Sequence, residues 1–349
     1  MLKLGIIGAP RVGKTTVFNA VAGAHTDPDA YQARDEVRRA MVKVPDRRLD
    51  HLFDLFKPPK KVHAEIEYFD FPPLGEDGGE AVQLPPAVRE TDALIAVLRA
   101  FGENPDPAAQ LKRLGEEMIL ADLAVLEKRY ERLKKEIDSG RDDNRLEFEA
   151  LQRCRAALES EQPLRTIELT PADEHLLRGY GFLSRRPLLA LVNAPDDGLP
   201  DSEAAWSQRL DPGPRTLVKI LRGKLEAELT TLDAPDRAAF MADYDLKVSA
   251  LDSMIAASYD LLGLITYFTG SSEKDVRAWT VRRGAAAPEA AGVIHSDFEK
   301  GFIRAEVFAL DDLLRCGSTA QARKEGLARL EGKEYTVNDG DYILFRFNV

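Results

Sequence analysis

The residues whose types and spacing most plainly imply chemistry lie near the start of the chain: Gly8, then Ala9-Pro10-Arg11-Val12, then Gly13-Lys14-Thr15. Paired glycines allow a tight backbone path in which successive N–H groups converge on an anion. A helix opening near Thr15 adds its partially positive end. A lysine directly after the second glycine reaches a β- or γ-phosphate, and the adjacent hydroxyl ligates Mg2+. The pattern predicts a phosphate-binding loop with Gly8, Ala9, Pro10, Arg11, Val12, Gly13, Lys14, Thr15 and Thr16 around a nucleoside triphosphate, ATP or GTP. Lys14 takes the catalytic role on the phosphates and Thr15 the metal. Asp70 closes the apolar stretch Ile66-Glu67-Tyr68-Phe69, where a strand-end carboxylate holds Mg2+ or is an ordinary turn residue. Asn193 and Asp196 follow another apolar run and are candidates for the base edge; both are also common turn formers.

The elements around these residues fit the role. Lys3 to Ile7 reads as a buried strand, and Thr15 to Ala22 as a helix carrying Val17, Phe18 and Val21, so the glycine loop sits between strand and helix as its chemistry requires. Val62 to Phe69, Ala93 to Leu98 and Leu188 to Val192 read as further strands, and their alternation with helices predicts a parallel, doubly wound α/β sheet. Leu111, Leu114, Met118, Leu126, Tyr130, Leu133 and Ile137 recur at helical spacing, with one wider gap at Asp122-Leu123. A turn near Ser139-Gly140 and a second stripe from Leu146 to Leu158 complete a projecting helical, coiled-coil-like arm. From about Val276 short β-prone pieces joined by turns predict a small α+β domain. The expected division is 1–108 with 164–262 for the nucleotide domain, 109–163 for the arm and 263–349 for the last domain.

Composition narrows the class. The chain has 349 residues, 44% hydrophobic and 31% charged, the balance of an ordinary globular protein. Two cysteines, Cys154 and Cys316, stand too far apart for ligand spacing, which argues against a disulfide framework or zinc site. The formal charge of -11 opposes non-specific attraction to nucleic acid. No apolar run is long enough for a membrane span. A cytoplasmic location without membrane contact is the expectation.

Several ordered stretches carry a resemblance. Leu261-Leu262-Gly263-Leu264-Ile265-Thr266-Tyr267-Phe268-Thr269, Val276-Arg277-Ala278-Trp279-Thr280 and Ile294-His295-Ser296-Asp297-Phe298-Glu299 come in series. Gly301-Phe302-Ile303-Arg304-Ala305-Glu306-Val307 and the end Phe345-Arg346-Phe347-Asn348-Val349 continue it. Val44-Pro45-Asp46-Arg47-Arg48-Leu49 matches the stretch after a first switch. Together they resemble the YchF family of Obg-related P-loop NTPases over essentially the whole chain. The resemblance implies that the last domain is a ubiquitin-like TGS fold. It also implies slow hydrolysis of ATP, or in some members GTP, with Mg2+, and association with the ribosome or a ribosome-bound factor. RNA contact through the TGS domain and the arm would follow.

Departures from the family pattern bear on mechanism. Its second switch opens Asp-x-x-Gly, whereas this chain reads Asp70-Phe71-Pro72-Pro73, and Pro73 has no N–H to offer a γ-phosphate. Leu74 matches the family's apolar residue where other small GTPases carry a water-positioning glutamine, and so enters the catalytic set. Thr26 is the one candidate for a switch hydroxyl in a rewritten first switch. Asn193-Ala194-Pro195-Asp196 lacks the lysine of Asn-Lys-x-Asp, which favours ATP over GTP. The alternative is a non-hydrolysing nucleotide-binding regulatory or scaffold relative.

Overall fold

The computed structural model describes residues 2–25, 37–72, 85–140, 143–195, 201–243 and 249–348. It divides into two compact units, Met1–Val42 with Glu67–Ala257, and Lys43–Ile66 with Ser258–Val349.

In the first unit, β1 (Leu2–Ile7), β2 (Arg38–Lys43), β4 (Glu65–Asp70), β5 (Ala93–Arg99), β6 (Leu188–Asn193) and β7 (Thr216–Leu221) form one sheet in the order β2-β4-β1-β5-β6-β7. Strands β1, β5, β6 and β7 run parallel, with Ile7 opposite Ala96 and Arg99 opposite Asn193. β5 and β6 are buried almost throughout, as central parallel strands covered on both faces must be. The chain leaves β1 for β2 and then β4 on one side and later passes to β5 on the other. The strand order therefore reverses at β1, and its carboxyl end opens the crevice where α/β sheets take ligands. The loop from Gly8 to Gly13 lies there and leads into α1 (Lys14–His25). Ile7, Phe71, Leu94, Ala96, Leu98 and Met118 belong to the core behind it.

The expected arm is a pair of helices, α3 (Pro107–Asp138) and α4 (Arg145–Glu159). At 32 residues α3 spans about 48 Å. Asp106 caps it by accepting from Ala109 N at 3.0 Å, and Pro107 occupies the first turn, where its missing N–H costs nothing. Leu126, Tyr130 and Leu133 pack against Leu151, Cys154 and Leu158, with the Tyr130 and Phe148 rings stacked at 5.0 Å. The gap in the apolar stripe at Asp122 has a cause. Its carboxylate, with 0% exposure, accepts from Leu183 N at 2.9 Å, Ser184 N at 2.8 Å and Arg89 Nη1 at 2.9 Å. An acidic residue on the buried face of α3 thus ties down the segment that enters β6.

The second unit has its own sheet, β11-β10-β12-β8-β9-β3, from β3 (Lys60–Val62), β8 (Leu264–Gly270), β9 (Asp275–Arg282), β10 (Phe302–Phe308), β11 (Arg329–Glu331) and β12 (Tyr342–Phe347). β8 and β9 form an antiparallel pair, as do β10 and β12, while β12 runs parallel to β8. The division differs from the expected boundaries because the stretch Lys43–Ile66 joins this unit. β3 pairs with β9 from Lys60↔Asp275 to Val62↔Arg277. In α2 (Arg47–Phe56), Arg48 donates to Asp339 at 2.7 Å, and Asp339 also accepts from Thr266 N at 2.9 Å. Phe56 stacks on Tyr342 at 5.5 Å. The run Val62 to Phe69, expected as one strand, is consequently split at His63-Ala64 between β3 and β4, which belong to different sheets. Trp279 and Phe298 pack on the core of this unit, and His295 caps the following helix by accepting from Asp297 N at 3.2 Å. Among the described residues, no helix is long and apolar enough to cross a membrane.

Candidate functional site

The two loop glycines are fixed by what stands beside them. A Cβ on Gly8 would lie 2.8 Å from the Val97 carbonyl oxygen of β5. Gly13 has φ +89°, and a Cβ there would lie 2.2 Å from Asn193 Nδ2. Between them Arg11 adopts φ 60°, a left-handed conformation that turns the loop toward α1. Val12 is buried, while Ala9, Pro10 and Arg11 are exposed along the rim. Thr15 is exposed and Thr16 half-buried in the first turn of α1. The loop thereby presents the start of a helix to an open cavity of about 590 Å³ lined in part by Ala9, Arg11, Gly13, Lys14, Thr15 and Arg38.

Lys14 and Asp70 meet in that cavity. Lys14 is 6% exposed and Asp70 4%, and the ammonium donates to Asp70 Oδ1 at 2.8 Å and to the Phe71 carbonyl. The second oxygen, Oδ2, accepts from Arg38 Nη2. The first residue of β2 thus completes an ion triad with the last residue of β4 and the first of α1. Burial of a carboxylate is tolerated only with such partners. Thr15 and Asp70 line the same cavity as hard oxygen donors. Among the described residues, no group of three or more His, Cys, Asp and Glu side chains forms a metal cage. One carboxylate and one hydroxyl suit Mg2+, which keeps waters and shares substrate phosphates, better than an ion that needs a full protein cage.

Asn193 sits at the carboxyl end of β6, 5% exposed, but its amide is committed to the backbone. Nδ2 donates to Val12 O at 3.0 Å and Oδ1 accepts from Gly223 N at 3.0 Å. It braces the phosphate loop against the turn after β7 with one N–H and one oxygen lone pair, and the amide has a second of each. Leu74, Asp196, Pro73 and Thr26 lie outside the described residues. Arg38, one of several charges around the start of β2, is not singled out by the sequence. Its position at the head of a short alternating strand was the only local signal.

The comparisons with known proteins extend over this whole arrangement. Residues 264–348 match the family model YchF-GTPase_C, described as a protein of unknown function (DUF933). The chain is 39% identical over 365 aligned positions to the "Ribosome-binding ATPase YchF" of Bacillus subtilis (strain 168), covering 100% of both chains. It is 37% identical over 361 positions to the protein of that name from Haemophilus ducreyi, covering 99% of each. Among solved structures, it superposes on the Schizosaccharomyces pombe YchF GTPase with a TM-score of 0.83 at 28% identity, covering 99% of this chain and 97% of that one. With a phosphate loop at the reversal of its sheet, an inserted helical pair and this end-to-end likeness, the chain belongs to the YchF family of Obg-related P-loop NTPases.

Proposed function

We propose that the protein binds ATP with Mg2+ through Gly8–Thr15, hydrolyses it slowly, and couples the nucleotide state to association with the ribosome. The observation that carries this reading is the placement of Lys14, Thr15 and Asp70 around one cavity at the carboxyl ends of β1 and β4. Thr15 and Asp70 would hold the metal, which when bound offsets the charge of the phosphates. Lys14 binds and orients the β- and γ-phosphates, and the loop N–H groups hold the chain of phosphates in register. Preference for ATP is supported by the relatives named ATPases and by the absence of a lysine after Asn193. Asp196 remains the residue proposed for the base and Leu74 the apolar residue beside the reacting water.

Slow turnover follows from Pro73, which removes a backbone donor from the segment after Asp70. The same residue favours a second reading, a nucleotide-binding scaffold that does not turn over. Phosphate release measured beside Lys14→Ala, with cosedimentation on ribosomes in ATP and in ADP, decides between them. Release above the Lys14→Ala background with nucleotide-dependent cosedimentation supports the ATPase. Release equal to that background, with cosedimentation indifferent to nucleotide, supports the scaffold.

A further inference from the structure

The buried carboxylates Asp70 and Asp122 each have a cation beside them. Buried Arg165 has no such partner. It is 8% exposed in the helical turn Leu164–Thr166, which is anchored to the segment before β6. Arg165 N donates to Ser184 O at 2.9 Å, and Leu164 N donates to Ser184 Oγ at 3.1 Å. The guanidinium donates from Nη1 to Ser184 O at 3.2 Å, and its Nε is buried without an acceptor. Among the described residues no carboxylate pairs with it. Burial of a charge ordinarily requires such a partner.

The charged group that acts on Arg165 is another cation. Burial, and then the like charge of Arg215, pull its guanidinium down to about 10. Arg215 is lowered too, by desolvation first and then by Arg185, with Glu174 opposing. Arg185 is shared between Glu174 and the Leu164 carbonyl, the latter at 3.0 Å. Three guanidinium groups thus gather about one carboxylate. Arg215 is exposed, and its side chain has no hydrogen-bond or ion-pair partner among the described residues. The backbone brings these segments together. Leu188 N donates to Arg215 O at 3.0 Å, and a Cβ on Gly213 would lie 4.0 Å from Thr166 Cγ2. The cluster stands at the amino ends of β6 and β7, at the opposite end of the sheet from the cavity lined by Lys14 and Asp70.

We propose that Arg165 and Arg215, with Arg185 at their edge, form a phosphate-binding site, filled by a phosphate ion or by the backbone phosphates of an RNA. Phosphate oxygens accept from several guanidinium forks at once, and the excess of positive charge over the single Glu174 favours such an anion. The ligand would supply the counter-charge that the fold does not give Arg165. This site is separate from the nucleotide cavity and does not depend on it.

The test is hydrogen exchange on the full chain with inorganic phosphate, with a short RNA hairpin lacking terminal phosphates, and with sodium chloride at matched ionic strength. Arg165→Gln and Arg215→Gln are measured alongside; Arg215 is exposed and unbonded, so its variant tests the site in an intact fold. Occupancy should slow exchange at 164–166, 184–188 and 213–216, about tenfold at a tenfold excess over the dissociation constant. Arg215→Gln should weaken the binding about tenfold. Slowing by inorganic phosphate assigns the site to the free ion, and slowing by the hairpin alone assigns it to backbone phosphates. No slowing at these segments with either probe, slowing matched by chloride, or slowing unchanged in both variants would overturn the proposal. Slowing confined to residues 8–16 would place the phosphate at the loop after β1 and would overturn it equally.

Discussion

Asn193 Nδ2 stands where a side chain on Gly13 would have to be, 2.2 Å from the position of its Cβ, while donating to Val12 O at 3.0 Å. The glycine of the phosphate loop and the asparagine at the end of β6 therefore act as one device. The absent side chain lets the amide cross beneath the loop, and the amide holds the loop's shape. Gly13→Ala is expected to abolish nucleotide binding, since the added methyl meets both this contact and a φ of +89°. A nucleotide titration on folded Gly13→Ala protein checks it.

Removing the other partner should act more on stability. Asn193→Ala leaves Val12 O and Gly223 N without their buried partner, at a cost of about 1–3 kcal/mol each where water cannot replace it. The expected outcome is a lower urea midpoint together with weaker nucleotide binding. Weaker binding with an unchanged midpoint would point instead to a direct base contact by Asn193.

The phosphate loop was legible in sequence because its parts are local: glycine, lysine and hydroxyl within one turn between strand and helix. The partners that define its state were not. Asp70 could be placed at a strand end, but Arg38 reaches it only because β2 and β4 are neighbours in the sheet. Nothing in the spacing of the two residues encodes that. The same limit hid the membership of Lys43–Ile66 in the second unit, since β3 finds its partner β9 far along the chain. The helical arm was readable from its 3.6-residue period. Even there, the break at Asp122 had a meaning that only the distant Arg89 and Leu183-Ser184 reveal.

Asp122 gives the arm a direct stability test. Its carboxylate is pushed up by burial and pulled back by the hydrogen bonds from Leu183 N and Ser184 N and by Arg89. Asp122→Ala strands these donors, and breaking a buried pair on one side costs about 3–5 kcal/mol. Chemical denaturation should show the loss, and hydrogen exchange should place it at 181–184 and along α3. A change below about 0.5 kcal/mol, the range of ordinary surface substitutions, would contradict this assignment.

In the second unit, the hydrogen bond from Arg323 holds the Glu306 carboxyl below the ordinary carboxylate range against the opposing effect of burial, with Arg346 nearby. A depressed folded-state value stabilises the fold above the unfolded pKa of about 4.3, and this stabilisation is lost as pH falls through the folded value. Glu306→Gln should therefore lower the denaturation midpoint near neutral pH, with the difference from the parent chain shrinking on acidification. A difference that grows as pH falls would reverse the sign of the argument.

The most direct measurement of the central claim is calorimetric titration of a slowly hydrolysed ATP analogue, with Mg2+, into the full chain and into folded Lys14→Ala. The site built by Gly8–Thr15 is expected to give saturable one-to-one binding, weakened at least about tenfold once the lysine's charged hydrogen bonds are removed. Identical binding by the two proteins, or none by the parent chain, would contradict a phosphate site at this loop.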